Sequence, residues 1–201
     1  MATALHTAPP ATADAIVPPA RLAHVVLRTS RFDEMVAWYK LVLNSHAAFE
    51  SEHIAFLAYD DEHHRVALIH IPGLAPAAKG TFGVHHFAFT YDSMRDLLTN
   101  YAKLRDHGIK PVWGVNHGPT TSLYYADPEG NNIELQVDNC DTVEEAGEFF
   151  FTENFRQNAI GVDVDPEDLY QRLLAGEDEA SLKTYHPIGP RAVEDSPLEG
   201  A

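Results

Sequence analysis

Cysteine is nearly absent. Cys140 is the single one in 201 residues, which excludes an internal disulfide framework and a thiolate metal cluster and fits a reducing cytoplasm. A metal, if one is bound, has to be held by imidazole and carboxylate. Long apolar runs are missing too. No stretch approaches the ~20 residues a membrane span requires, and the first ten residues have neither a basic opening nor an apolar segment of leader length. A soluble, cytoplasmic protein without a membrane partner is expected. Positive charge is also scarce: 14 Lys and Arg stand against 30 Asp and Glu, a formal net charge of -16. The few cations are scattered, which argues against nucleic acid, because neutralising phosphates takes clustered Lys and Arg. From Asp138 onward there are 16 acidic and 4 basic residues, so most of the imbalance is a solvated acidic surface in the last third.

The remaining composition, 45% hydrophobic, suffices for one compact domain with additions. Residues 1–20 are mainly Ala, Pro and Thr and read as a flexible arm that cannot bury enough surface to fold alone. From Arg21 to Gln136 the chain makes two similar passes. In the first, Leu22 to Arg28 alternates like a strand, and Phe32 to Leu43 places Met35, Trp38, Tyr39 and Val42 at helical spacing. Three strand candidates follow, around 47–50, 53–59 and 64–71. The second pass opens with Val84 to Thr90, continues through a helix from Ser93 to His107 ended by Gly108, and gives strands near 110–115, 121–126 and 131–137. Asp127-Pro-Glu-Gly130 makes the last hairpin turn.

Two tandem βαβββ units about 60 residues apart predict an α+β domain over residues 21–137. Each sheet has one apolar face to cover, and pairing the units produces a cup lined by both. Residues 138–201 form an acidic extension, expected to pack on the domain or across a partner subunit. It carries a helix capped by Asp165 with Pro166 in first position, ending near Gly176. Phe149, Phe150, Phe151 and Phe155 are too apolar to be left in water, so at least a dimer is expected.

His24 and His86 hold equivalent places in the two passes. A single histidine in a strand is usually local structure; two at corresponding positions point to a shared role. Sheet pairing can bring both imidazoles into the cup, and Glu134, in the last strand, can complete a facial set of two histidines and one carboxylate. His85 is the rival to His86. Period-two alternation admits only one of the pair, and His86 keeps the register His-apolar-apolar-apolar shared with His24-Val-Val-Leu.

The stretch Val115-Asn-His117-Gly-Pro-Thr-Thr-Ser-Leu123-Tyr124-Tyr-Ala-Asp127-Pro-Glu-Gly130-Asn-Asn-Ile-Glu134 closely resembles the signature of the type I extradiol ring-cleavage dioxygenases, a branch of the vicinal oxygen chelate superfamily. The resemblance spans about residues 22 to 137 and fits the small single-domain members. It implies the glyoxalase/bleomycin resistance/extradiol dioxygenase fold around a metal. It implies cleavage of a catechol-type diol by O2 with Fe(II), Mn(II) being suited to the same ligands, to a muconic semialdehyde-type product. Metal ligation then falls to His24, His86 and Glu134, substrate contact to His117 and Tyr124, and acid–base work to His64 rather than to its neighbour His63. Residues 72–80 stand as an insertion before His86. Two other readings remain: a glyoxalase-like isomerase and a non-catalytic small-molecule binding protein. Many such isomerases draw a fourth, carboxylate ligand from the first repeat, where this chain has Ala67.

Overall fold

Period-two alternation and helical spacing generate the elements where the chain pattern changes. This computed structural model describes residues 16–76, 78 and 81–198. The expected N-terminal arm therefore lies outside the described residues up to 15, and residues 16–20 are exposed without regular structure. The first module runs β1 (Val25–Thr29), α1 (Phe32–Val42), β2 (His46–Glu50), β3 (Ile54–Ala58) and β4 (Val66–His70). The second runs β5 (His86–Tyr91), α2 (Met94–Asp106), β6 (Trp113–Asn116), β7 (Thr120–Ala126) and β8 (Asn132–Asp138). Sheet order is β1-β4-β3-β2 in one and β5-β8-β7-β6 in the other, extended there by β9 (Val162–Asp163).

The modules repeat to the residue. Val26 pairs with Ala67 in parallel β1 and β4, and Ala88 pairs with Glu134 in parallel β5 and β8. His24 and His86 each stand two residues ahead of the strand residue in that pair. Ala67 is thus the first module's counterpart of Glu134. The opening strand, expected from Leu22, begins only at Val25. Arg65 accounts for this: its guanidinium holds the Leu22 and Ala23 carbonyls at 2.8 and 3.0 Å, and its own carbonyl accepts from Val25 N. His24 consequently stands just before β1.

One face of each sheet is closed by helices. Met35, Tyr39 and Val42 of α1 and Leu97, Leu98 and Leu104 of α2 join Leu57, Leu68, Leu123, Ile133 and Leu135 in one core, whose burial is the main stabilising term. Alternation turns His24, Val26, Phe56, His86, Tyr124 and Glu134 to the opposite face. The Asp127-Pro-Glu-Gly turn ties the modules together. Asp127 is buried; one carboxylate oxygen accepts from Glu129 N and Asn131 N, the other from Tyr39 OH at 3.1 Å. Glu129 accepts from Ser30 N and Oγ, and Arg31 donates to the Pro128 carbonyl.

The extension packs on the second module through α5 (Pro166–Leu174), capped by Asp165 as expected. Tyr101 and Arg105 of α2 donate to Glu167 at 2.9 and 2.7 Å. Among the four phenylalanines, Phe149 fills the space that a Cβ on Gly118 would need and stacks edge-on against Phe155 and Tyr185. Phe150 and Phe151 are exposed on the single chain. Among the described residues no helix is long and apolar enough to cross a membrane.

Candidate functional site

Neighbouring strands β5, β8, β7 and β6 present His86, Glu134, Tyr124 and Trp113 side by side on the open face, because Tyr124 lies opposite Glu134 and Trp113 opposite Tyr124. Glu134 is buried, its side chain only 6% exposed, with its Oε2 3.1 Å from His86 Nε2. Burial pushes its carboxyl up. Hydrogen bonds from His86 and Ser122 and the neighbouring imidazoles outweigh burial and hold it below the ordinary carboxylate range.

His117, in the β6–β7 turn, reaches the same spot. Its Nε2 lies 3.1 Å from Tyr124 OH and 4.0 Å from Glu134 Oε1. Its Nδ1 lies 2.6 Å from the Ile160 carbonyl. A carbonyl can only accept, so Nδ1 carries the proton, and in the neutral ring Nε2 is an acceptor that shares the Tyr124 hydroxyl with the Glu134 carboxylate. Burial lowers the His117 pKa and, aided by the Glu134 charge, raises the Tyr124 phenol's. Trp113 stacks on Tyr124 at 5.2 Å and donates to Asp163 Oδ1 at 2.8 Å. Arg191 grips the same carboxylate at 2.7 Å and lies over the indole. Val115, Leu198 and Ile160 complete an apolar patch with Trp113 and Tyr124.

The other expected residues form a separate cluster. His24 stands with His64, ring centroids 4.4 Å apart, and His63 is farther from it at 6.4 Å. His64 stacks on Phe56 at 4.6 Å, whereas His63 lies beside Glu62 and is largely exposed. Burial, then the charges of His24 and His63, lowers the His64 pKa. A cleft of about 690 Å3 runs along the seam between β1 and β5, lined by Val26, Arg28, Val84, Phe87 and Asn132. The structure therefore gathers His86, Glu134, His117 and Tyr124, and leaves His24 with His64. Among the described residues no three His, Cys, Asp or Glu side chains form a group arranged to hold a metal ion.

Sequence reasoning missed the contribution of the extension: Asn158, Ile160, Asp163 and Arg191 all brace this site. Trp113, stacked on Tyr124 and bonded to Asp163, packs behind the site. An Asn-x-x-Gly spacing at 158–161 is the signal for a turn, but nothing local says what that turn touches.

Comparison with known proteins gives a consistent picture. The family model described as Glyoxalase/Bleomycin resistance protein/Dioxygenase superfamily matches residues 21–135. The chain is 46% identical over 157 residues to Biphenyl-2,3-diol 1,2-dioxygenase 2 of Rhodococcus globerulus, covering 78% of this chain and 83% of that one. To Biphenyl-2,3-diol 1,2-dioxygenase 3 of the same organism it is 44% identical over 166 residues, covering 82% and 87%. A solved glyoxalase/dioxygenase from Nostoc punctiforme shares the fold with a TM-score of 0.52 at 19% identity, covering 63% of this chain and 99% of that one.

Proposed function

The chain belongs to the Glyoxalase/Bleomycin resistance protein/Dioxygenase superfamily, and on that membership we propose that it is an extradiol dioxygenase opening a catechol-type ring to a muconic semialdehyde-type product. Its identity to two biphenyl-2,3-diol dioxygenases supports that substrate class. The observation that carries the reading is the convergence of His86, Glu134, Tyr124 and His117 on one sheet face, with His24 at the matching register of the other module.

The donor chemistry fits a first-row divalent ion. Glu134 is a buried carboxylate held ionised, beside an imidazole, and two histidines with one carboxylate suit Fe(II), with Mn(II) an ion of the same preference. We assign Fe(II) to His24, His86 and Glu134, His24 on register. Bound there, the iron would supply open positions for diol and dioxygen and a redox couple between ring and oxygen. The first module offers no fourth carboxylate, since Ala67 occupies Glu134's equivalent place, and this separates the reading from a four-ligand isomerase.

The protein's own groups do the rest. His117 and Tyr124 form one hydrogen-bonded pair beside Glu134, suited to orienting a diol and stabilising its deprotonated oxygen. Trp113, stacked behind Tyr124 and buried with Val115 and Leu198, backs the phenol with an apolar core that fixes its position. His64 is assigned the proton transfer, because it lies nearer His24 than His63 does.

Mass spectrometry of the product formed under 18O2 tests the reaction class. Extradiol cleavage places both labelled atoms in an opened ring; a product isomeric with the substrate, carrying no label, would refute it.

A further inference from the structure

Asparagine is seldom buried, yet Asn158 is 2% exposed and every polar atom of its carboxamide is used. Oδ1 accepts from Ile160 N at 3.0 Å and Gly161 N at 2.7 Å, while Nδ2 donates to the Gly161 carbonyl at 2.8 Å. An asparagine that bonds its own backbone two and three residues ahead folds that stretch into a turn. Arg191 braces it: its backbone N–H donates to Gln157 O and its guanidinium to Gly161 O at 3.2 Å.

The turn is pressed against the loop that carries His117. A Cβ on Gly161, where φ is +109°, would lie 2.4 Å from Asn116 O and 2.9 Å from His117 Cα, and Val162 pairs with Asn116. The product of this docking is one contact, the Ile160 carbonyl 2.6 Å from His117 Nδ1. Asn158, Ile160, Gly161 and Arg191 all lie beyond residues 21–135, the span that the family model matches.

We propose that Asn158 is a positioning residue: by building the turn that aims the Ile160 carbonyl at His117, it locks that imidazole in the Nδ1–H tautomer and keeps Nε2 as an acceptor. The functional consequence rests on the reading of His117 as a substrate-facing group. With Nε2 bare, His117 takes a hydrogen bond from the Tyr124 hydroxyl or from a diol hydroxyl. The opposite tautomer presents a donor to Tyr124 and leaves the Ile160 carbonyl without its partner.

The test is 15N NMR of the full-length chain labelled in histidine, read without iron or substrate, on wild type, Asn158→Ala, Gly161→Ala and Ile160→Val. Wild type is expected to show His117 protonated at Nδ1. Ile160→Val keeps the carbonyl and should keep that state, while Asn158→Ala and Gly161→Ala should give mixed tautomers. In the iron-loaded enzyme, Asn158→Ala should lower kcat/KM by about 10- to 100-fold, the usual range for an outer hydrogen-bond partner, with iron content unchanged. A wild-type Nε2–H tautomer overturns the proposal, as does an unaltered Nδ1–H state in folded Asn158→Ala. If Asn158→Ala does not fold, wild type and Gly161→Ala decide in the same way. Failure of the site reading is separate: unchanged turnover in His117→Phe refutes that reading even where the tautomer is as proposed.

Discussion

Replacing Gly161 by alanine probes the docking of the extension through a single added carbon. The residue sits at φ +109°, and the new Cβ would meet Asn116 O at 2.4 Å and His117 Cα at 2.9 Å, both backbone atoms that no side-chain rotation can clear. The left-handed backbone costs an alanine roughly 1–2 kcal/mol, and forced overpacking adds about 1–3 kcal/mol. Together they predict a loss of about 2–5 kcal/mol. Gly176, which follows α5 at φ +89° with nothing within 4 Å of its ideal Cβ, supplies the control, since alanine there bears only the backbone term. Urea unfolding followed by tryptophan fluorescence, with Trp113 beside the docked turn, measures both. In a chain of this size each kcal/mol moves Tm by roughly 2–4 °C, so Gly161→Ala should melt well below Gly176→Ala. Equal destabilisation of the two variants would refute the close approach of the turn to His117.

Three further outcomes follow from other parts of the molecule. His64→Phe should lower turnover by about 10²- to 10⁴-fold, the usual worth of a general acid–base group, with bound iron unchanged; normal turnover removes His64 from proton transfer. Asp127→Ala strips the acceptor from Tyr39 OH and from the Glu129 and Asn131 amides and should cost about 2–4 kcal/mol in urea unfolding, since a lost charged acceptor leaves the buried Tyr39 hydroxyl unpaired and frees the two turn amides; a loss under about 0.5 kcal/mol, on the order of an ordinary surface substitution, contradicts the clamp. Hydrogen bonds from Gln171, Arg105 and Tyr101 hold Glu167 down at about 2 against an ordinary 4.5. A folded-state value below the unfolded one stabilises the fold above pH 4.5, and that contribution disappears as pH falls toward 2. Glu167→Gln should therefore lower Tm near pH 6 and converge with wild type in acid, and parallel curves would contradict the assignment.

The fold was readable because its signals are local. Alternation placed the strands to within about three residues, Ser93 and Asp165 announced their helices, and the repeat gave the equivalence of His24 and His86 that the strand register repeats. The start of β1 was misplaced because Arg65, 43 residues from Leu22, holds the chain before it. His86, Glu134, His117 and Tyr124 came from one motif and its neighbouring strand, and adjacent strands of one sheet bring them together. His24 belongs to the other sheet, where the side-chain arrangement depends on contacts across the module seam that no sequence window contains. The role of Asn158 and Arg191 was hidden for the same reason: His117, which the Asn158 turn reaches through Ile160, and Trp113, which Arg191 covers, lie about 40 and 80 residues away in the chain.

Oxygen uptake by the Fe(II)-loaded protein, recorded with a panel of catechol diols beside Glu134→Ala, tests the central claim most directly. The account predicts one O2 consumed per diol, a yellow ring-opened product and no uptake in the variant. Uptake undiminished in Glu134→Ala, or none across the panel from iron-loaded wild type, would contradict it.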